Sequence, residues 1–193
     1  MTDQARARKR ELRRRIRDAR AALDPAERAR ADAQIARRAR AIVEDAGART
    51  IACYLSGPDE PPTRSFLDWA DADGVRVLLP ISRPGGLLDW GEATGGERMS
   101  RVGVPETTSD PLGPAALSDA DVIFAPAAAV DLAGHRLGWG GGYYDRALAR
   151  GAARAPVYAV IYDLEVVAHV PHEHHDMPVS GAVTPTRALM FDR

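Results

Sequence analysis

The amino-acid sequence predicts an α/β fold, with a mostly parallel, mixed central sheet between two helical layers (a three-layer α/β/α arrangement). Short apolar segments alternate with helical patterns along most of the chain, and this alternation is typical of a sheet covered by helices on both faces. The length of 193 residues and the hydrophobic fraction of 45% suit one domain with a full core. We therefore expect a single α/β domain over residues 1–193, with N-terminal helices in 1–46 and the sheet and its site in 50–193.

Two helical patterns open the chain. Residues 4–23 have apolar residues at helical spacing, and Lys9 and Arg13 lie one turn apart beside that stripe. The stretch DPAE at 24–27 predicts the start of a second helix. Aspartate can cap it, proline suits its first position, and the glutamate completes a capping box. We expect this helix to end at Gly47.

The apolar segments that follow are the predicted strands. A helical pattern at 63–74 separates the first two, and a further helix is expected over Tyr143–Ala149. Residues 92–118 are rich in Gly, Pro, Thr and Ser, which predicts irregular structure with short regular pieces. The final segments are expected to pair antiparallel. The predicted strands are 50–55, 75–81, 87–90, 157–162 and 187–191, with a buried apolar segment at 121–130.

The least ordinary stretch is RLGWGGGYYDR at 136–146, where four glycines fall within five residues. It links a predicted strand to a predicted helix, and ligands of open α/β sheets bind at such strand ends. Consecutive glycines let backbone amides approach an anion, and the following helix N-terminus favours negative charge. The expected guest is therefore a phosphate group.

Spacing excludes two familiar phosphate loops. The P-loop needs a lysine after its last glycine, and the dinucleotide pattern needs a glycine where this chain has Tyr143. Glycines alone are equally compatible with a structural turn. The adjoining residues favour a site, because an aromatic pair can wall a flat ring, Asp145 can hold a hard cation and Arg146 can pair with phosphate.

The longer stretch DLAGHRLGWGGGYYDRAL at 131–148 resembles the signature of the 5-formyltetrahydrofolate cyclo-ligase family, also called methenyltetrahydrofolate synthetases. Further segments are similar to the family in the same order along nearly the whole chain. They are KRELR at 9–13, YLSGPDEPPT at 54–63, VPHEHHDMPV at 170–179 and VTPT at 183–186. The resemblance implies conversion of 5-formyltetrahydrofolate to 5,10-methenyltetrahydrofolate, with ATP consumed to ADP and phosphate in the presence of Mg²⁺. It also implies that ATP phosphorylates the formyl oxygen, giving an imidate phosphate intermediate.

The resemblance assigns roles to particular residues. Nucleotide contacts are implied for Lys9, Arg13, Arg136, Leu137, Gly138, Trp139, Gly140, Gly141, Gly142, Tyr143 and Tyr144. Folate contacts are implied for Leu55, Glu60, Trp139, Gly140, Gly141, Gly142 and Tyr143, Mg²⁺ ligands are Asp145 and Asp176, and the catalytic residues are Tyr144 and Arg146. Glu60 suits a pterin because a carboxylate accepts hydrogen bonds from the ring's amino and N–H donors. By composition alone Glu60 would be a solvated loop acid and Asp176 a turn or cap residue.

One position departs from the family pattern. Where many members have glutamine, the segment YDLEVV has Glu165. An ionised carboxylate donates no hydrogen bond, so either the ligand contact differs or the acid is paired. A second hypothesis is therefore a paralogue that acts on another formylated or carboxylated substrate. A third is an RNA-binding module built on the arginine-rich helices, although the interleaved acids there favour a solvated surface.

The remaining composition narrows the function classes. A net charge of -1 and the lack of a long apolar run predict neither a nucleic-acid nor a membrane partner. The single cysteine, Cys53, is expected to be a buried, inert thiol. We expect the protein to be a cytoplasmic monomer whose partner is a reduced folate. The HEHHD segment at 172–176 misses the H-E-x-x-H pattern, so no catalytic transition-metal site is expected. Lys9 is the only lysine, and its ammonium can bind a phosphate as a point charge that donates hydrogen bonds.

Overall fold

The computed structural model describes residues 3–151, 155–172 and 177–191. Within these ranges the helices are α1 (Asp3–Ala21), α2 (Pro25–Asp45), α3 (Arg64–Ala72) and α4 (Tyr143–Gly151). The strands are β1 (Thr50–Ala52), β2 (Arg76–Arg83), β3 (Leu87–Glu92), β4 (Glu97–Met99), β5 (Pro105–Thr107), β6 (Val122–Pro126), β7 (Ala129–Asp131), β8 (Arg136–Leu137), β9 (Val157–Val160), β10 (Val166–Val167), β11 (Gly181–Val183) and β12 (Ala188–Met190).

The central sheet has seven strands among the described residues, in the order β12-β11-β9-β6-β1-β2-β3. Its five inner strands run parallel to their neighbours, and the edge strands β3 and β12 are antiparallel. The predicted mostly parallel, mixed sheet is confirmed, as is the antiparallel pairing of the last two strands. The carboxyl ends of β1 and β6 lie side by side, so the segments that leave them share one edge of the sheet.

Helices cover both faces of this sheet. On one face α2 and α3 bury apolar side chains against the strands, including an edge-to-face contact of Phe66 with Phe124 at 4.8 Å between ring centroids. On the other face α4 and the 3-10 turn Pro114–Asp119 pack against the strands, with Leu117 and Leu148 buried. The predicted three-layer arrangement follows from these two apolar interfaces.

Helix α1 packs elsewhere, against the small sheet β10-β7-β8. Leu12 contacts the cluster that includes Leu137 and Val170. The buried residues of α1 are Lys9, Ile16 and Arg20. The prediction that α1 buries an apolar stripe is therefore only partly right, because two cationic side chains lie on the inner face of this helix.

Short strands account for most differences from the predicted elements. The first strand ends at Ala52 rather than at Leu55, because the chain then turns out of the sheet. The apolar segment 121–130 divides into β6 and β7, which belong to different sheets. Residues 92–118 contain the β4–β5 hairpin. Strands of two or three residues have no measurable periodicity, so the sequence pattern misses them.

The capping signals are confirmed in detail. The Glu27 backbone N–H donates to Asp24 Oδ1 at 2.7 Å, and the Asp24 backbone N–H donates to Glu27 Oε2 at 3.0 Å. Gly47 follows α2 with φ of +59°, a left-handed conformation that glycine adopts without strain.

No helix in the described part of the chain combines the length and the apolar character needed to cross a bilayer.

We predict that Asp24→Ala lowers the free energy of unfolding by about 1 kcal/mol, because the cap hydrogen bond to Glu27 is lost. Urea unfolding followed by circular dichroism measures the change. Asp45→Ala is the matched control, since Asp45 is exposed in the last turn of the same helix. An equal loss in both variants would contradict the capping role.

Candidate active site

A cavity of about 240 Å³ opens at the carboxyl edge of the central sheet. Its walls come from the segment after β1, the end of β6, the β4–β5 hairpin and the glycine loop, here defined as residues 138–142. Ten residues that the resemblance assigned to the site line this one cavity. They are Leu55, Glu60, Arg136, Gly138, Trp139, Gly141, Gly142, Tyr143, Tyr144 and Asp145.

Five other assigned residues support the cavity from outside its lining. Lys9 is buried on α1, and the side chain of Leu137 belongs to the small apolar cluster beneath the loop. Gly140 faces the guanidinium of Arg13. Arg146 lines a neighbouring cavity of about 220 Å³. The sixth, Asp176, lies outside the described residues.

Arginine side chains hold the glycine loop through its backbone. Arg13 Nε donates to the Gly138 carbonyl at 2.7 Å, and Arg146 Nη2 donates to the Gly141 carbonyl at 2.6 Å. Arg146 Nε also donates to the Gly86 carbonyl at 2.9 Å, which ties the loop to the turn before β3. These bonds occupy carbonyl oxygens, so they leave the loop's N–H groups for an anion.

The glycines of this loop are required by space as well as by conformation. Gly140 and Gly142 have φ of +102° and +67°, where other residues are strained. A Cβ on Gly142 would lie 2.7 Å from Arg146 Nη1, and one on Gly141 would lie 2.8 Å from the Tyr143 ring. Side chains here would fill the cradle and displace the residues that shape it.

An ion pair between a buried arginine and a partly exposed aspartate anchors the other end of the loop. Arg136, whose side chain is 2% exposed, pairs with Asp145 and donates to the Pro126 carbonyl at 3.0 Å. Asp145 is partly exposed and lines the cavity, so it can also contact a cation. Mg²⁺ commonly takes one or two carboxylates together with phosphate oxygens, and Asp145 fits that donor set.

Glu60 lies half-buried at the cavity wall. Its Oε2 accepts a hydrogen bond from the Gly57 backbone N–H at 2.9 Å. Burial raises the pKa of the Glu60 carboxyl, while the Gly57 bond and the nearby Arg20 charge oppose that rise. Burial also raises the pKa of Tyr144 well above its usual value, so this phenol stays protonated. Its hydroxyl oxygen is buried without a hydrogen-bond partner among the described residues.

Comparison with known proteins identifies the family. The family model for the 5-formyltetrahydrofolate cyclo-ligase family matches residues 5–185. The chain belongs to this family. Its 5-formyltetrahydrofolate cyclo-ligase relative from Mycolicibacterium smegmatis (strain ATCC 700084 / mc(2)155) is 38% identical over 148 residues, which cover 74% of this chain and 76% of the relative. The relative of the same name from Escherichia coli (strain K12) is 32% identical over 177 residues, with 89% and 97% covered.

Solved structures agree with this assignment. The solution structure of Aquifex aeolicus 5,10-methenyltetrahydrofolate synthetase has a TM-score of 0.80 at 25% identity, covering 96% of this chain and 93% of that one. A Mycoplasma pneumoniae 5,10-methenyltetrahydrofolate synthetase has the same fold, with a TM-score of 0.73 at 20% identity and coverage of 91% and 97%. The predicted family, its ligase class and its α/β fold are therefore confirmed.

The position at which this cyclo-ligase family member departs from the pattern has a structural explanation. Glu165 is fully buried and accepts two hydrogen bonds from Arg20, at 2.6 and 2.8 Å. Of the two explanations that the sequence left open, the acid is paired, and it is not among the residues that line the cavity. Sequence reasoning missed Arg20 as a site-supporting residue. Its spacing of four residues from Ile16 was the available signal.

Other cavity walls were also missed. Val102 and Val104 belong to the β4–β5 hairpin, which lies in the stretch predicted to be irregular with short regular pieces, and Tyr54 continues the chain after β1. Such residues carry no chemical signature. Only the fold brings the hairpin over the glycine loop.

The expectation of a buried cysteine is confirmed, whereas most of the HEHHD segment, residues 173–176, lies outside the described residues. Cys53 is fully buried, and burial raises the pKa of its thiol to about 12, so it is inert. His172 stacks on His135 at 3.4 Å between ring centroids. The described residues contain no group of three or more His, Cys, Asp or Glu side chains that could hold a metal ion.

We predict that Glu60→Gln stabilises the protein at neutral pH. A raised pKa means that the folded state retains a proton that the unfolded state loses, so Glu60 lowers stability as pH rises above the carboxyl's ordinary value. The gain should vanish below that ordinary value, where both side chains are neutral. Thermal melts between pH 3.5 and 8 measure this, with the exposed Glu44→Gln as control. A destabilised variant at pH 7 would contradict the burial argument.

Proposed function

We propose that the protein catalyses the ATP- and Mg²⁺-dependent conversion of 5-formyltetrahydrofolate to 5,10-methenyltetrahydrofolate, with release of ADP and phosphate. One observation carries the proposal: a single cavity is lined by the glycine loop, by Asp145 and by Glu60. These are the parts needed for a phosphate, a hard cation and a pterin. The shared family and the names of the relatives support the same activity.

The pterin half of the site follows from the wall chemistry. Trp139 and Tyr143 supply flat aromatic surfaces, and Leu55 and Leu88 supply apolar ones. Glu60 accepts hydrogen bonds from the amino and N–H groups at the ring's edge. A mostly apolar cleft with few directional polar groups is the usual form of a small-molecule site.

The nucleotide half uses the glycine loop. Its free backbone N–H groups and the N-terminus of α4 favour the phosphates of ATP. Arg13 keeps the loop in place, and Lys9 contributes positive charge from the same helix. Asp145 would hold Mg²⁺, which neutralises charge on the transferring phosphoryl group.

The chemistry replaces a poor leaving group by a good one. The formyl oxygen attacks the γ-phosphorus, the bond to ADP breaks, and the resulting imidate phosphate carries an activated formyl carbon. N10 then attacks this carbon and loses its proton, and the C–O bond breaks to release phosphate and close the ring. Tyr144, held protonated, can donate a hydrogen bond to oxygen as charge develops. Arg146 fixes the loop in this structure and would stabilise charge at its rim.

The decisive experiment follows the near-ultraviolet absorbance of the methenyl product with purified protein. Absorbance should rise only when 5-formyltetrahydrofolate, ATP and Mg²⁺ are all present, with ADP formed in equal amount. ADP formation without product, or product without ATP, would overturn the proposal. Glu165, the position that suggested another formylated or carboxylated substrate, is not among the described residues that line the cavity.

We predict that Asp145→Asn raises the Mg²⁺ concentration needed for half-maximal activity by at least roughly tenfold. The amide binds Mg²⁺ less well than a carboxylate, and it leaves the buried Arg136 without its counter-charge. A metal titration at saturating ATP measures the effect. Asp89→Asn is the matched control, because Asp89 also pairs with an arginine, Arg83, but does not line this cavity. An unchanged titration would remove Asp145 from the metal site.

A further inference from the structure

Arg20 contacts four segments of the chain, three of which contribute residues to the lining of the candidate active-site cavity. Its guanidinium forms a fork with Glu165, with Nε on Oε1 at 2.6 Å and Nη2 on Oε2 at 2.8 Å. Nη2 also donates to the Ala127 carbonyl at 2.8 Å, just after β6. Nη1 donates to the Asp59 carbonyl at 3.4 Å, next to Glu60. The side chain is only 2% exposed.

The fourth segment is the glycine loop. The Arg20 guanidinium carbon lies 4.8 Å from the centroid of the Trp139 ring, within the range of a cation–π contact. Trp139 lines the cavity, and its indole N–H is buried without a hydrogen-bond partner among the described residues. Arg20 is therefore the nearer of two guanidinium groups beside this ring, since the Arg17 guanidinium carbon lies 5.8 Å from the same centroid.

Glu165 keeps the arginine in this orientation. It is fully buried, and its Oε2 also accepts from the Tyr162 backbone N–H at 2.9 Å. A buried ion pair of this kind is weak evidence for stability, because desolvation offsets the attraction and an apolar pair of similar size often serves equally well. Its geometry, in contrast, is specific, since a two-bond fork fixes the plane of the guanidinium.

We propose that Arg20 and Glu165 are positioning residues for the folate half of the site. Their fork fixes the Arg20 guanidinium, which in turn fixes the distance between the Trp139 wall and the Glu60 segment. This inference rests on the proposed function and goes beyond it. Neither residue lines the cavity, so neither contacts the ligand directly. Glu165, which replaces the glutamine of the family pattern, and Arg20, a buried cation of α1, therefore act together.

The test replaces the pair by apolar residues of similar length, Arg20→Met with Glu165→Met. The double variant should melt within a few degrees of the original protein, because two buried charges leave together. We expect the KM for 5-formyltetrahydrofolate to rise at least about tenfold, since small errors in placement are costly at a site of this kind. The KM for ATP should change by less than about threefold, because Arg13, Arg136 and Arg146 still hold the backbone of the glycine loop.

Two single variants separate charge from geometry. Arg20→Lys keeps the charge and loses the fork, so it should raise the folate KM. Glu165→Gln keeps an acceptor oxygen for one arm of the fork, so it should recover part of the folate affinity relative to the double variant. The matched control is Arg40→Met with Glu44→Met, because Arg40 also pairs with a glutamate and lies over a tryptophan, Trp69, at 5.3 Å on the surface of α2.

A second readout does not depend on turnover. Acrylamide quenching of Trp139, obtained by subtracting the matching Trp139→Phe protein, should increase in the double variant and stay unchanged in the control. If the original protein had no cyclo-ligase activity, the proposed function would fail while quenching still tested the positioning role. Unchanged folate KM and unchanged quenching in a folded double variant would overturn the inference. Unfolding of all three variants would overturn it as well, because the pair would then hold the fold rather than the site.

Discussion

The glycine loop has almost no side chains with which to pack, so hydrogen bonds to its backbone must hold it. Arginines from different elements supply them: Arg13 from α1 and Arg146 from α4 donate to loop carbonyls, and Arg136 anchors the β8 end by pairing with Asp145. A guanidinium suits this task because it presents several donors in a rigid plane and stays charged. The main-chain N–H groups left over are available to an anion, and the nucleotide half of the proposed function depends on them.

This constraint explains the position of α1. A helix that covered the central sheet would bury an apolar stripe, but α1 lies against the small sheet and turns Lys9 and Arg20 inward with Ile16. On its outer side Arg14 pairs with two acids of the same helix, Glu11 and Asp18. The basic character of this helix is thus divided between the site and a solvated surface. The contacts of its inner cations favour a role in the enzyme over a role in binding RNA.

Burial determines the direction of the pKa shifts of the ionisable side chains that line the cavity. Glu60 and the buried tyrosines all have raised pKa values for the same reason, since charge is costly away from water. The tyrosines therefore stay protonated, and the Tyr54 hydroxyl donates to the Pro61 carbonyl at 3.2 Å. The pKa of Glu60 also depends on nearby charge, and the positive charge of Arg20 opposes the rise in pKa that burial causes. A residue outside the cavity can in this way affect recognition inside it.

The sequence by itself determined the layer architecture, the capping box of α2, the glycine loop and the family, because each rests on local spacing or on an ordered set of motifs. It also determined which residues to expect at the site, such as Glu60 and Asp145, through the resemblance. Only the tertiary structure decided that the β4–β5 hairpin forms a wall, that α1 serves the loop, and that Glu165 is bound by Arg20, 145 positions earlier in the chain. The physical reason is that pairing between distant residues and strands of two or three residues leave no period in the sequence, whereas helices leave a period and caps and glycine turns leave a local spacing.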